Sequence, residues 1–371
     1  MRKGSYQKGK YVMAELDFKK YEDGLKELEY ISKEVGVPVD YTQGGGGNTS
    51  VKLDDRYMAV KASGCKLKQI TPTEGYVIID YKKIKEYYEH VDLNADVDFE
   101  KESADMAKQS VEPVSWLKAL RPSVEAGFHS VLKKYVVHTH SVYANILTCI
   151  ENGQELVGKI FQGKSYETAW IPYINPGFCL TLKIQEAIGE CTRRTGKAPE
   201  VFFMQNHGLI VTTDDCKETI RLHSEVNDTI REYLKINEDF PEVELFTVDE
   251  KTVISKTGYI KEFVKDGSLQ PGFFEEVVLY PDQFVYLNGG VAFNSLDNKL
   301  NIITQTGEVI YKTNAAEALT MEETLLGCIF VVNEIKKRKL PLKTMSEKDI
   351  DFIRNWESEA YRKSLVKEMS K

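Results

Sequence analysis

Short apolar runs of strand length alternate with longer amphipathic stretches up to about residue 240. No other feature narrows the fold as much, because strands and helices interleaved in this way must bury one another's apolar faces in layers. Residues 17–36, "DFKKYEDGLKELEYISKEVG", carry Leu25, Leu28 and Ile31 at helical spacing, with Gly36 as the expected C-cap. The glycine-rich turn "QGGGGNTS" then feeds a short strand, and "RYMAVKASG" reads as a second strand ending in a tight turn. "TPTEGYVIIDYKKIKEYYEH" predicts a strand and then a charged helix. Residues 91–112 are acidic and polar, so they are expected to be an exposed, partly mobile connection. "RPSVEAGFHSVLKK" has the marks of a helix start, with Pro122 and Ser123 leading and Glu125 in the first turn. "YVVHTHSVYANILTC" predicts a strand running into a helix, and "PGFCLTLKIQEAIGECTRRTG" a helix stopped at Gly196. "EVFFMQNHGLIVTTDD" predicts two strands around Asn206-His207-Gly208, and "CKETIRLHSEVNDTIREYLKI" a long helix. The expected class is α/β or α+β.

The pattern changes near residue 245. The chain beyond that point is turn-rich and β-like, and two helices are expected to close it, "NAAEALTMEETLLGCIFVVNEIKKRK" and "SEKDIDFIRNWESEAYRKSLVKEMSK". At 371 residues the chain is long enough for a main domain over 1–245 and a smaller α+β extension over 246–371. The net charge is −8, and no Lys/Arg cluster stands against an aromatic stripe, so no nucleic-acid partner is expected. No apolar stretch approaches the roughly 20 residues that span a bilayer, and the basic amino terminus lacks a signal-like apolar core. Six scattered cysteines without a C-x-x-C pair read as buried free thiols. A cytoplasmic location with no membrane partner is the expectation.

The chain has only six histidines, and two of them, His138 and His140, are two apart on one predicted strand. Residues i and i+2 share a strand face, so two imidazoles can reach one ion. Alone, the pair is a weak signal: it suits a divalent metal such as zinc, but two hydrogen-bonded histidines fit it somewhat better. His207 sits after the apolar run "EVFFM" and just before Gly208, where α/β sheets usually place their sites, although it also fits a structural turn. With His138 and His140 it would make three ligands and leave positions open for substrate. Glu125 can be a helix-dipole partner, a ligand or a base. His129 shares its helix face and could hydrogen-bond a ligand or serve structure alone, while His90 and His223 lie on polar helices and receive no role. The four glycines can make a simple turn, or free backbone N–H groups to hold an anion with help from Asn48 and Ser50. Ala62-Ser63-Gly64 and the helix start at Ser123 offer further donors. The run matches neither the P-loop nor the dinucleotide pattern. Lys61 reads as a strand or anion-contact residue, and no Schiff-base lysine is needed.

"GGGGNTSVK", "VKASG", "RPSVEAGFH", "VVHTHS" and "NHGLIV", in this order, resemble the motifs of the class II aldolase/adducin family, and "YINPGFCL" resembles its tyrosine-proline-glycine stretch. The resemblance covers about residues 20–240. Together with "LYPDQFVYL" it is closest to the aldolase half of bifunctional rhamnulose-phosphate aldolase/short-chain dehydrogenase proteins. The chain ends before such a second half and nothing after 245 resembles its dinucleotide glycine motif, so no NAD chemistry is expected. The resemblance implies a three-layer α/β/α core around a mostly antiparallel sheet. It also implies metal binding by His138, His140 and His207, with Glu125 as resting-state ligand and acid/base. Gly47, Asn48, Ser63, Gly64 and Ser123 match phosphate-binding positions, while Val124 stands where simpler members often have a second serine. The acid tyrosine is not assigned, though Tyr173 lies near a plausible place.

The implied reaction is aldol cleavage of a ketose 1-phosphate, rhamnulose-1-phosphate-like, to dihydroxyacetone phosphate and an aldehyde through a metal-stabilised enediolate. Zinc is the expected metal, with Mn2+, Co2+ and Fe2+ as alternatives. Two rivals stand beside it. A pentulose-phosphate 4-epimerase would use the same metal site, and an adducin-like binding module would be non-catalytic and lack the metal histidines. A homo-oligomer, tetrameric by resemblance, is expected. Residues 246–371 could cover the site, make subunit contacts or act as a spacer.

Overall fold

The computed structural model describes residues 16–287 and 290–355. Helix α1 (Phe18–Gly36) starts from an Asp17 cap whose carboxylate accepts from the Lys19 amide. Leu25, Leu28 and Ile31 are fully buried on one face. Burying each such side chain stabilises by about 1.5–3 kcal/mol, which holds α1 on the sheet. Val37, not Gly36, is the C-cap. A Cβ on Gly36 would collide with Leu67 Cβ, so the glycine serves close packing instead.

The first part of the chain continues with β1 (Asn48–Lys52), β2 (Tyr57–Lys61), β3 (Tyr76–Asp80), α2 (Tyr81–His90), α3 (Phe99–Gln109) and β4 (Val111–Glu112). Next come α4 (Ala126–Val131), β5 (Tyr135–Thr139), α5 (Val142–Thr148), α6 (Gly153–Ile160) and β6 (Thr168–Ile171). It closes with α7 (Phe178–Thr195), β7 (Val201–Met204), β8 (Gly208–Thr213) and α8 (Cys216–Leu234). The eight strands form one sheet in the order β4-β3-β2-β1-β5-β8-β7-β6. Every pairing is antiparallel except β6 with β7. Alternate strand residues feed opposite faces. Val137 joins the apolar cluster under α1, while Val136 packs with Phe128, Leu180 and Ile184 from α4 and α7. The sheet is therefore the middle of three layers.

The second part carries β9 (Leu245–Asp249), β10 (Thr252–Ser255), α9 (Gly258–Lys265), α10 (Phe273–Glu276) and α11 (Pro281–Leu287). It continues with β11 (Val291–Phe293), β12 (Leu300–Ile303), β13 (Glu308–Tyr311), α12 (Ala315–Lys337) and α13 (Glu347–Asn355). Its five-stranded sheet runs β11-β12-β13-β10-β9. One apolar cluster extends from Val142 to Ile335, so this part packs directly on the first. Within it α12 lies beside α5 and α11.

Several local expectations need correction. Residues 91–112 are not a mere connection, because they contain α3 and β4. The Asp98 carboxylate caps α3 through the Lys101 amide at 3.1 Å. Glu100 then accepts from the Phe178 amide at 2.9 Å, which ties α3 to the start of α7. Helix α4 begins after Glu125 rather than at Pro122, and Glu125 is its N-cap. The β-like stretch after 245 also holds three helices, and "LYPDQFVYL" forms α11 rather than a strand. All six cysteines are free, with Cys149, Cys191 and Cys328 buried but Cys179 exposed. The basic residues 1–15 and the last predicted helix beyond Asn355 lie outside the described residues. Among the described residues, no helix is long and apolar enough to cross a membrane.

Candidate metal centre

Three strand ends build the centre. The β1–β5 register sets Asn48 opposite His138, and His138 is next to the last residue of β5. His140 follows just past the strand end. His207 lies on the β7–β8 turn, where Asn206 takes a left-handed φ of 50°. Ligand nitrogens of His138, His140 and His207 all lie within 4.8 Å of one another, and all three residues are buried. Glu125 joins them from the start of α4. Its Oε1 is 3.3 Å from His207 Nε2, and its Oε2 is 3.7 Å from His138 Nε2.

The hydrogen bonds assign the imidazole nitrogens. His138 Nδ1 donates to the Leu209 carbonyl at 3.0 Å, and His140 Nδ1 donates to Asp282 Oδ2 at 2.9 Å. The Nε2 lone pairs of His138 and His140 then face each other at 3.2 Å. Two acceptors at that distance repel unless a proton or a cation lies between them. Burial holds His138 well below the ordinary histidine range, although the Glu125 charge opposes this. Burial alone would raise the Glu125 carboxyl, but His138, the His207 hydrogen bond and His140 leave it well below the usual carboxylate range. His207 Nδ1 is buried without a hydrogen-bond partner. A donor set of three imidazoles and one carboxylate fits a borderline divalent cation such as zinc.

A polar chain behind Glu125 fixes its direction. Ser50 Oγ donates to His129 Nδ1 at 2.7 Å. His129 Nε2 donates to Asn48 Oδ1, which turns the Asn48 amide nitrogen toward Glu125 Oε2 and Ser123 Oγ. Burial pushes the His129 imidazole down to about 3, so it stays neutral and keeps these roles at ordinary pH.

The cleft over this cluster is lined by Gly47, Asn48, Lys61, Ser63, Gly64, Ser123, Val124, Glu125, His140 and His207, together with Pro176, Pro281 and Asp282. Its volume of about 40 Å³ is far below the roughly 300 Å³ of ordinary ligand clefts. All five residues matched to phosphate positions are in that lining. Lys61 is also there, with Nζ 3.3 Å from the Gly45 carbonyl oxygen. Tyr173 is not, and its hydroxyl bonds Asn175 at 3.2 Å instead.

Three residues around the centre were given no role there by sequence reasoning. Asp282 bonds His140, and Asn206 donates to the Leu279 and Lys343 carbonyls at 2.8 and 2.9 Å. His223 does not face solvent on its polar helix. It is fully buried, and its Nε2 is 2.9 Å from Thr139 Oγ1, between the two metal-type histidines in sequence. A lone acid inside the apolar run "VVLYPDQFVYL" was the available signal for Asp282.

The family described as Class II Aldolase and Adducin N-terminal domain matches residues 28–234. Among curated proteins, an uncharacterized oxidoreductase, YuxG of Bacillus subtilis, is 27% identical over 232 residues, 58% of this chain. That match spans only 31% of YuxG's own length. The 3-oxo-tetronate 4-phosphate decarboxylase of Haemophilus influenzae is 27% identical over 202 residues, covering 52% of this chain and 78% of that enzyme. Among solved structures, the N-terminal class II aldolase domain of a conserved protein from Thermoplasma acidophilum is 24% identical, with a TM-score of 0.47. That similarity covers 62% of this chain and all of the other.

Proposed function

The chain belongs to the class II aldolase and adducin family, and on that premise we propose that it is a metal-dependent lyase that cleaves a carbon–carbon bond in a phosphorylated sugar. The reading we favour is retro-aldol cleavage of a ketose 1-phosphate, rhamnulose-1-phosphate-like, to dihydroxyacetone phosphate and an aldehyde. One observation carries it: two imidazole lone pairs meet at 3.2 Å with the Glu125 carboxylate beside them. His138, His140 and His207 are the residues that would hold the cation, with zinc the proposed metal and Glu125 completing the set. When bound, the cation supplies Lewis-acid charge that stabilises the oxyanion developing next to the broken bond.

The remaining steps fall to side chains of this chain. Glu125, aimed by the Asn48 amide, takes and returns the proton through Oε1 or Oε2. Gly47, Asn48, Ser63, Gly64 and Ser123 form the proposed phosphate anchor, and the Lys61 ammonium in the same cleft adds charge opposite to a phosphate. Binding of a sugar phosphate requires the narrow cleft to widen. Residues 1–245 would supply the metal ligands, the acid/base and the phosphate anchor, within a homo-oligomer.

Decarboxylation is the second reading, supported by the Haemophilus influenzae relative. Loss of carbon dioxide from a 3-oxo acid leaves the same kind of oxyanion, and Glu125 would then relay a proton from solvent to the carbon that lost the carboxylate. The test is a metal-reconstituted assay over ketose 1-phosphates and 3-oxo acid phosphates, scoring dihydroxyacetone phosphate, carbon dioxide and isomerised pentulose phosphate. Glu125→Gln and His138→Ala are expected to lose cleavage by at least about a hundredfold. Full activity in both would refute the site.

A further inference from the structure

We propose that Asp282 is a positioning residue of the metal centre, and that α11 makes the second part of the chain a working component of it. The inference rests on the metal-dependent reading above and adds what holds His140 in place. Asp282 Oδ2 accepts from His140 Nδ1 at 2.9 Å, across 142 positions of sequence. Both side chains are buried, with residue exposures of 3% for Asp282 and 5% for His140. A carboxylate only accepts, so this bond keeps the proton on Nδ1 and leaves the Nε2 lone pair aimed at the cation position. It also fixes the ring plane, since the bond leaves the imidazole one direction in which to point.

Three further contacts indicate that the bond is built rather than incidental. A Cβ on Gly46 would collide with Asp282 Oδ2 and lie 2.6 Å from His140 Nδ1, so the glycine-rich turn closes directly over this pair. Gln283 pins the start of α11, with Oε1 accepting from the Leu279 amide at 2.7 Å. Asn206, the residue before His207, donates to the Leu279 carbonyl at 2.8 Å. The segment that carries Asp282 is thus tied to the turn that carries a second metal-type histidine. Two attachments, Asp282 to His140 and Leu279 to Asn206, reach across from residues after 245 to the histidine cluster.

The experiment is titration of the full-length, metal-stripped protein with Co2+, read by visible absorption, and with Zn2+ in competition. Wild type, Asp282→Asn, His140→Ala, the double variant and His138→Ala are compared. Asp282→Asn preserves shape but can turn its amide nitrogen toward His140 Nδ1, which would put the imidazole proton on Nε2 and block the lone pair. The expected result is a loss of metal affinity of about 10–100-fold, with an altered cobalt spectrum. In the His140→Ala background the same change is expected to have no further effect, because Asp282 acts only through that ring. Asp282→Glu, which keeps the carboxylate, is expected to recover part of the affinity. Wild-type affinity in Asp282→Asn, with affinity lost in His138→Ala, would overturn this inference and leave the metal reading standing. Absence of binding in wild type would overturn both.

Discussion

Acid should unfold this protein partly through one histidine outside the metal-type cluster. His223 is fully buried on α8, and burial pushes its imidazole from the ordinary 6.5 down to about 3. In the unfolded chain the same ring takes a proton below 6.5. Between pH 6.5 and about 3 the unfolded state therefore binds a proton that the folded state refuses, so stability falls as pH falls. The slope is about 1.4 kcal/mol per pH unit, which gives a loss of roughly 2 kcal/mol between pH 7 and pH 5 from this residue. His223→Gln removes the titrating group and retains an amide that can still bond Thr139. Urea unfolding at pH 7, 6 and 5 measures both proteins, and groups common to both cancel in the difference. The stability of wild type relative to the variant should drop by about 2 kcal/mol across that range. A difference that stays constant with pH would refute the reasoning.

Gly46→Ala should lower the affinity for Co2+ or Zn2+ about tenfold or more, since its Cβ must displace either Asp282 or His140; isothermal titration checks this. Gly158→Ala on α6 is the contrasting case, because a Cβ there meets nothing within 4 Å. It should stabilise the fold by about 0.5–1 kcal/mol in urea melts. Leu28→Ala on α1 removes a side chain with no exposure and should cost about 2–5 kcal/mol in the same melts.

How much of this was legible in the sequence depended on range. Helix α1 was legible because Leu25, Leu28 and Ile31 mark one helical face, and β5 because its apolar residues run unbroken to His138. His138, His140 and His207 stood out because they follow apolar runs, and the fold brings the three together. The amphipathic pattern failed where the buried face is itself polar. On α8 that face includes Thr219, His223 and Asn227, each four positions apart, and a pattern of apolar residues does not reveal such a stripe. Helix α3 escaped for a related reason, as its buried residues are only Ser103 and Ala107. Asp282 escaped because its meaning lies in a contact 142 positions away.

The glycine run shows how a local reading shifts once distant chain is in place. Four glycines before a strand read either as a simple turn or as free amides for an anion. In the fold, the Gly44 amide donates to Glu323 Oε2 of α12 at 2.9 Å, and the Gly46 amide donates to the Gln43 carbonyl at 3.0 Å. A Cβ on Gly44 would lie 3.0 Å from Thr320, also on α12, and one on Gly45 would lie 2.8 Å from the Tyr286 hydroxyl on α11. Only Gly47 of the four lines the cleft, and its φ of 66° is one that glycine adopts freely. Three of the four glycines therefore serve the seam between the two parts of the chain, because a side chain there would push α11 or α12 away. Of this stretch, Gly47 and Asn48 alone reach the cleft, where they belong to the proposed phosphate anchor. The length of the run follows from the closeness of α11 and α12, and the same closeness is what lets Asp282 reach His140.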